Sequence, residues 1–396
     1  MTKALDRSLS VALQQLQQAG ILKAPERIVR GRIGSKVLLE GFDEPFIRAN
    51  SNDYLQLSQH PALAAAAEAA TTLYGVGPGA VRFIDGTHLP HVALEKAIAS
   101  FMGYPSSCVF NSAYAANLSL IGCLHTPETY WLCDELNHNS LIRGLKMAGV
   151  QSDQKAIYKH LALEDLKAKI NSIPSRFKRV CILTDGVFSM RGDVAPLNEL
   201  QRIAEDYSSH FSEGVLLIVD DSHGVGAFGE EGKGTMALRP SSPSILVGTL
   251  GKAFGVNGGF VAGSQVLIDY LKQKGDTYVY TNPLGPAEAA AALAAVEILQ
   301  KEEGKRRLTN LESLRQKFRK GLRLESIEGP HPIVPILTRE NNKTQALVKH
   351  LFDRGVLATG LTYPVVPKDE SCVRIQLHAE MSEEDIASML EIIHAF

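Results

Sequence analysis

The sequence predicts an α/β protein: a large domain built on a mostly parallel sheet, followed by a smaller α+β C-terminal domain. Three observations lead there. From Asn50 on, short apolar runs alternate with stretches of helical spacing, the order of repeated strand–helix–strand units. Runs such as VLLIVD (Val215–Asp220) and SILVGT (Ser244–Thr249) are apolar throughout, as in strands buried on both faces. From about Pro286 the alternation gives way to a long Ala/Leu helix and then to separated strands and helices.

The elements follow in order. Leu5, Leu9, Leu13 and Leu16 recur at helical spacing in Leu5–Gln18, and Gly20 is the expected C-cap. Val37–Glu40 and Phe46–Ala49 are short strands around a turn at 41–45. Then come strand and helix in turn: Ser107–Phe110 and Ala113–Leu124, Trp131–Cys133 and Ser140–Ala148, Val180–Thr184 and Leu197–Asp206, then the strands Val215–Asp220 and Ile245–Thr249. The C-terminal part reads as Ile333–Leu337, Thr344–Arg354, Val356–Thr359, Val373–Leu377 and Glu383–Ala395. The expected division is residues 1–49 for the N-terminal helix and short strands, 50–285 for the large domain and 286–396 for the small one. No low-complexity linker separates the last two, so close packing is expected.

Composition narrows the function classes. The 396 residues carry 41 Lys plus Arg against 43 Asp plus Glu, a net charge of −2, with 45% hydrophobic and 21% charged residues. That is the make-up of a globular protein, with no basic footprint for nucleic acid and no polybasic membrane patch. The five cysteines are scattered without a C-x-x-C pair, which argues against a disulfide framework and a structural zinc site. No apolar segment follows Met1–Asp6 as a signal peptide would require, and no run reaches the roughly 18 apolar residues of a membrane span. The expectation is a cytoplasmic protein whose function lies in a pocket and needs no metal.

In open α/β sheets ligands bind beyond the carboxyl ends of the strands, so the residues after each apolar run are the candidates. Gly224–Gly229 matches G-x-G-x-x-G, but the continuation GEEGKGT is too rich in glycine to open a helix. No acidic residue closes the next strand, so a dinucleotide site is disfavoured. The stronger candidates are Asp220 and His223 after one strand and Lys252 after the next. Asp220 alone is an ordinary N-cap or ion-pair carboxylate, and Lys252 alone an ordinary solvated lysine. A third signal is Phe110–Asn117, where a strand ends and a helix of small residues begins, its free N–H groups able to hold an anion. The fourth is His138, which alone reads as a hydrogen-bonded structural histidine. Together they describe a ligand with a phosphate, a basic ring nitrogen and an aldehyde, the three features of pyridoxal 5′-phosphate.

TDGVFSM (Thr184–Met190), VDDSHGVGAFGEEGKGT (Val219–Thr235) and GTLGKAFG (Gly248–Gly255), in that order and preceded by SNDYLQL (Ser51–Leu57), resemble the α-oxoamine synthases. The resemblance runs from Asn50 to Glu380. It implies the aspartate-aminotransferase fold (fold type I of the PLP-dependent transferases), pyridoxal 5′-phosphate as cofactor, and condensation of an amino acid with an acyl-CoA. It assigns Lys252 as the Schiff-base lysine, Asp220 as partner of the ring nitrogen, His223 to the ring hydroxyl and His138 to the ring face. The amides of Ala113 and Tyr114 and the Thr249 hydroxyl would hold the phosphate, with Ser189 near the ring. The active site would form at a homodimer interface, Thr281 reaching the partner's phosphate. Arg374 would receive the amino-acid carboxylate, as a guanidinium can do bidentately, and Asn52 would touch substrate.

RFIDGT (Arg82–Thr87), GTLGKA (Gly248–Ala253) and the tail TGLTYPVVPK (Thr359–Lys368) resemble the 2-amino-3-ketobutyrate CoA ligase branch, implying glycine plus acetyl-CoA and a functional link to a threonine dehydrogenase. SNDYL and KAFGVNGG (Lys252–Gly259) resemble instead the 8-amino-7-oxononanoate synthase branch, which joins L-alanine to a pimeloyl thioester. Another long-chain condensing enzyme and a PLP aminotransferase remain as further alternatives. Gln56 for a usual glycine, Glu380 within Ala379–Met381, and Asp85 depart from the family pattern and bear on acyl-chain choice.

Overall fold

The computed structural model describes residues 2–19, 22, 25–363 and 365–396. The expected C-cap Gly20 lies outside them. The first helix, Lys3–Gln18, begins at an N-cap where Thr2 Oγ1 accepts from Leu5 N–H. Its leucines are exposed, so it presents an apolar stripe with no covering neighbour among the described residues.

Three short strands follow, β1 (Val29–Ile33), β2 (Lys36–Leu39) and β3 (Phe46–Arg48), paired antiparallel in sequence. The core sheet holds β4 (Ser106–Phe110), β5 (Thr129–Asp134), β6 (Lys155–Tyr158), β7 (Arg179–Asp185), β8 (Val215–Asp220), β9 (Ile245–Thr249) and β10 (Gly259–Gly263). Their spatial order is β4-β10-β9-β8-β7-β5-β6. Every pairing from β9 to β6 is parallel, whereas β10 runs antiparallel to both β9 and β4. β7 and β8 are buried almost end to end, which their unbroken apolar runs require. Two apolar layers sandwich the sheet, one containing Leu132, Ile182, Leu217 and Phe260, the other Trp131, Cys181, Leu183 and Ile218. These residues alternate along each strand, so the helices cover both faces.

Beyond the core sheet lie β11 (Ile333–Leu337), β12 (Val356–Leu357), β13 (Thr359–Leu361) and β14 (Cys372–Gln376). β11, β14 and β13 form a three-stranded antiparallel sheet in that order, and β12 pairs parallel with β3. The segment after β3 therefore meets the end of β14. Gln376 N–H donates to Ala49 O at 2.9 Å and Ala379 N–H to Tyr54 O at 2.8 Å. The Ala-rich helix Pro286–Leu299 packs against the helices Pro61–Tyr74 and Leu89–Met102. Small side chains at 289, 291, 292 and 295 allow that close approach.

Sequence reasoning missed β6 and β10. It also missed the helices Leu89–Met102, Leu163–Asn171 and Gln265–Lys274, while placing the other core strands to within two or three residues.

Candidate active site

The carboxyl ends of β7, β8 and β9 and the starts of two helices enclose a cavity of about 210 Å³. Lys252, Asp220, His138, His223, Ala113, Tyr114, Ser189 and Thr249 all line it, as do Ser112, Ser140, Asp185, Val187 and Ser222. Each strand ends where its last side chain faces the opening. Asp185 closes β7 and Asp220 closes β8 directly opposite it in register.

Asp220 is buried and held by two hydrogen bonds. Its Oδ2 accepts from Asn117 Nδ2 at 2.6 Å and its Oδ1 from the Ser222 amide at 3.1 Å; Lys252 supplies the nearby positive charge. Burial brings the Lys252 amine down to about 8, an effect opposed by the carboxylates of Asp220 and Asp185. Asp185, inside TDGVFSM, is pushed well above the ordinary carboxyl range, first by burial and then by Asp220. The second aspartate of VDDSHG has a different task. Asp221 accepts from Thr235 N–H at 2.8 Å and Thr235 Oγ1 at 2.6 Å. A Cβ on Gly224 would lie 2.1 Å from its Oδ1, so the glycine turn closes around this buried carboxylate instead of opening a helix.

His138 caps the helix Asn139–Met147. Its Nδ1 accepts from the Ser140 amide at 3.3 Å and lies 2.7 Å from Ser140 Oγ. Desolvation moves the ring below the usual imidazole range, against the pull of the Asp220 charge. His223 Nδ1 lies 2.8 Å from the Tyr54 hydroxyl, and burial with the nearby Lys252 charge holds the imidazole well below its usual range.

Opposite these, Ser112 N-caps the helix Ala113–Leu124, accepting from Ala115 N–H at 3.1 Å. The first-turn amides of Ala113 and Tyr114 have no partner within the helix and face the cavity. Gly259 permits this: a Cβ there would sit 2.2 Å from Ala113 N. Thr249 Oγ1 donates to Gly258 O at 3.0 Å and accepts from the Gly251 amide at 3.1 Å beside the same helix start.

Three expected residues fall outside the cavity lining. Arg374 adjoins it, its Nη1 donating to Ser189 O at 2.7 Å while its buried Nε has no partner among the described residues. Asn52 Oδ1 accepts from Gln376 Nε2 at 2.6 Å, two residues along β14 from Arg374. Thr281 is farther off, its hydroxyl donating to Thr277 O at 2.7 Å. The departures from the family pattern also lie elsewhere. Asp85 is exposed, while Gln56 and Glu380 line a separate surface cavity with Arg307. Asp185, Ser222 and Ser140 were not foreseen; Asp185 and Ser222 stand at strand ends inside the quoted motifs, the one available signal.

A model of the aminotransferase class I and II family matches residues 44–393. The 8-amino-7-oxononanoate synthase of Thermosipho melanesiensis is 38% identical over 346 residues, covering 86% of this chain and 85% of that protein. The 8-amino-7-oxononanoate synthase 1 of Bacillus velezensis is 36% identical over 387 residues, covering 96% and 93%. Among solved structures, a Sphingomonas wittichii serine palmitoyltransferase shares the fold at a TM-score of 0.88 and 24% identity, covering 100% of this chain and 98% of its own. An 8-amino-7-oxononanoate synthase from Francisella tularensis aligns at a TM-score of 0.74 and 28% identity, over 89% and 98%.

Fold and sequence thus define a pyridoxal 5′-phosphate enzyme of fold type I. The chain belongs to the aminotransferase class I and II family and, within it, to the α-oxoamine synthases, acyltransferases that join an amino acid to an acyl thioester. The cavity fits the family's cofactor. It offers a buried carboxylate, a lysine amine, a helix start for a phosphate, and the buried Ser222 Oγ, which has no partner among the described residues.

Proposed function

We propose that this chain condenses L-alanine with a pimeloyl thioester, releasing CoA thiol and carbon dioxide. The observation behind this substrate pair is the run of curated relatives named 8-amino-7-oxononanoate synthase at 34–38% identity over most of the chain. This departs from the glycine and acetyl-CoA pair expected from RFIDGT and the Thr359–Lys368 tail. That pair stays as the second reading, because those two segments favour it, and the link to a threonine dehydrogenase goes with it.

The bound cofactor supplies an aldehyde for an amine and a ring that accepts electron density from a bond broken at the substrate Cα. Lys252 would hold the aldehyde carbon and then serve as the base that takes a proton from Cα, a role its lowered basicity suits. Asp220 would keep the ring nitrogen protonated, and His223 would donate to the ring hydroxyl. His138 would lie against the ring face, with Ser189 near it. The Ala113 and Tyr114 amides would hold the phosphate, joined by the Thr249 hydroxyl once its proton turns from Gly258 O. Arg374 takes the substrate carboxylate, its unpartnered Nε being free for a second parallel hydrogen bond, and Asn52 contacts the amino acid. The Cα electron pair would then form a bond to the thioester carbonyl carbon as the carbon–sulfur bond breaks and the thiolate takes up a proton; the bond from Cα to the carboxylate carbon would break next, giving carbon dioxide, and Cα would take up a proton in its place.

The working form is a homodimer. Val76 and Tyr280 are 80% and 78% exposed, and the Val76 carbonyl lies against Gly285, so an apolar face adjoins the segment carrying Thr281. There Thr281 would reach the phosphate of the partner. The division at 50 and 286 is retained as the domain boundaries. All five cysteines are free thiols, which suits the reducing cytoplasm. Among the described residues no helix is long and apolar enough to cross a membrane.

The test is release of CoA thiol by the PLP-loaded protein, with L-alanine, glycine and L-serine each paired with pimeloyl-, acetyl- and palmitoyl-CoA. The expected preference is L-alanine with pimeloyl-CoA. Preference for glycine with acetyl-CoA establishes the second reading, and no release with any pair removes the substrate class.

A further inference from the structure

We infer that Asn117 is a positioning residue that ties together two groups of the cofactor site, the Asp220 carboxylate and, through the Ser140 hydroxyl, the His138 imidazole. The inference rests on the cofactor placement proposed above and concerns residues behind the cavity wall. Asn117 does not line the cavity and is 1% exposed.

The amide has two N–H donors, and both are used. Nδ2 donates to Asp220 Oδ2 at 2.6 Å and to Ser140 Oγ at 2.9 Å. The orientation of the amide follows from chemistry. An ionised carboxylate only accepts, so turning the amide over would set two acceptor oxygens 2.6 Å apart. Ser140 Oγ, having accepted from Asn117, has its own proton left to give, and His138 Nδ1 stands 2.7 Å away. The Ser140 backbone N–H also points at that nitrogen, at 3.3 Å. With two donors aimed at Nδ1, the neutral imidazole carries its proton on Nε2. A single side-chain amide thus directs one carboxylate oxygen and, by orienting the Ser140 hydroxyl, reinforces the histidine tautomer that the Ser140 backbone N–H also favours.

Asn117 is one turn into the helix Ala113–Leu124, whose N-terminus faces the same cavity. Phosphate site, Asp220 and His138 are therefore referred to one rigid element, and their spacing does not depend on loop movement. Gly144 allows the second helix to come close enough. A Cβ there would lie 2.6 Å from Ile121 Cδ1 and 3.4 Å from Asn117 O. Asn117 Oδ1 is buried with no partner among the described residues, so the side chain is placed by its two donor contacts alone.

The experiment compares wild type, Asn117→Ala, Asn117→Asp and Ser140→Ala. It reads the dissociation constant of PLP, the pH midpoint of the visible absorbance of the bound cofactor, and the melting temperature without cofactor. Removing the amide is expected to weaken PLP binding about tenfold or more, the scale of losing a hydrogen bond to a charged group, and to move the pH midpoint. Ser140→Ala leaves the Asp220 contact in place, so its effect on binding is smaller while the midpoint still moves. Wild-type affinity together with an unmoved midpoint in Asn117→Ala overturns the inference, even if the melting temperature falls, because that pattern means packing only. Should Asn117→Ala fail to fold, Asn117→Asp decides by the same two readings. A wild-type protein whose visible absorbance with PLP is unaffected by Lys252→Ala overturns the cofactor placement itself, and this inference with it.

Discussion

Lys252 shows what burial does to a single side chain. An ammonium in the cavity loses most of its hydration, and Asp220 and Asp185 restore only part of the difference, so the amine comes down to about 8 against an ordinary 10.5. More of it is neutral near physiological pH than of a surface lysine. In the cofactor-free protein, acylation of Lys252 read by peptide mass spectrometry is expected to rise with pH through a midpoint near 8. Surface lysines should keep rising past 10, near the ordinary lysine pKa. Asp220→Asn removes the largest interaction favouring the ammonium, so the midpoint should fall below that of wild type; an unchanged one would remove Asp220 from the lysine's surroundings. Gln56 gives a second case. Its φ of 55° places a non-glycine residue in the left-handed region, and its side-chain Nε2 is buried without a partner among the described residues. Gln56→Gly relieves both and is expected to raise stability by about 1 kcal/mol, read as a higher denaturation midpoint.

At the scale of elements, the site depends on how closely β10 approaches the helix Ala113–Leu124. Gly259 is where they touch, and a methyl group there meets backbone, not a side chain that can swing away. Gly259→Ala should shift the helix start and so lose PLP affinity by tenfold or more, with a fall in stability of about 1–3 kcal/mol from overpacking. Full PLP affinity in that variant would show that the first-turn amides do not hold the phosphate. The same strand shows why part of the architecture was hard to read. GFVAG is short, bounded by glycines and antiparallel, and gives neither a long apolar run nor alternation. β6 carries half-exposed Lys155 and exposed Ile157 at the sheet edge, so its pattern is diluted as well. β7 and β8 were legible because burial on both faces demands unbroken apolar sequence. Site residues divide similarly. Asp220, His223 and Lys252 stand out as polar groups ending apolar runs, whereas Asn117 sits mid-helix and reads as an ordinary polar residue. Its partners lie 23 and 103 residues away, a relation that only the folded chain reveals.

Across the whole molecule, folding buries ionisable groups whose protonation governs stability. His331 is fully buried beneath the site, where its Nε2–H donates to His223 O at 2.8 Å and its Nδ1 accepts from Ile333 N–H at 3.1 Å. Both ring nitrogens are satisfied in the neutral form, and a second proton would point at an N–H group. Burial thus brings His331 down to about 3, and His378, packed near Arg48, to about 3 as well. In the unfolded chain both titrate near 6.5, so below that pH the unfolded state binds more protons and stability falls as pH drops toward 3. The loss by pH 4.5 is about 2–3 kcal/mol for each. His160 acts in the opposite direction. Asp134 at the end of β5 and Asp193 at the end of the Gly186–Asp193 loop flank it at 2.9 and 3.1 Å, and they raise it to about 9 against the cost of burial. Its contribution is complete below 6.5 and is lost as pH rises through 9. The melting temperature of the cofactor-free protein should therefore be highest near neutrality and fall on both sides. His160→Gln should remove part of the alkaline fall while leaving the acid limb alone, and His331→Gln should shorten the acid limb. A melting temperature that stays level from pH 7 to 4.5 would mean that these histidines are not buried in their neutral form.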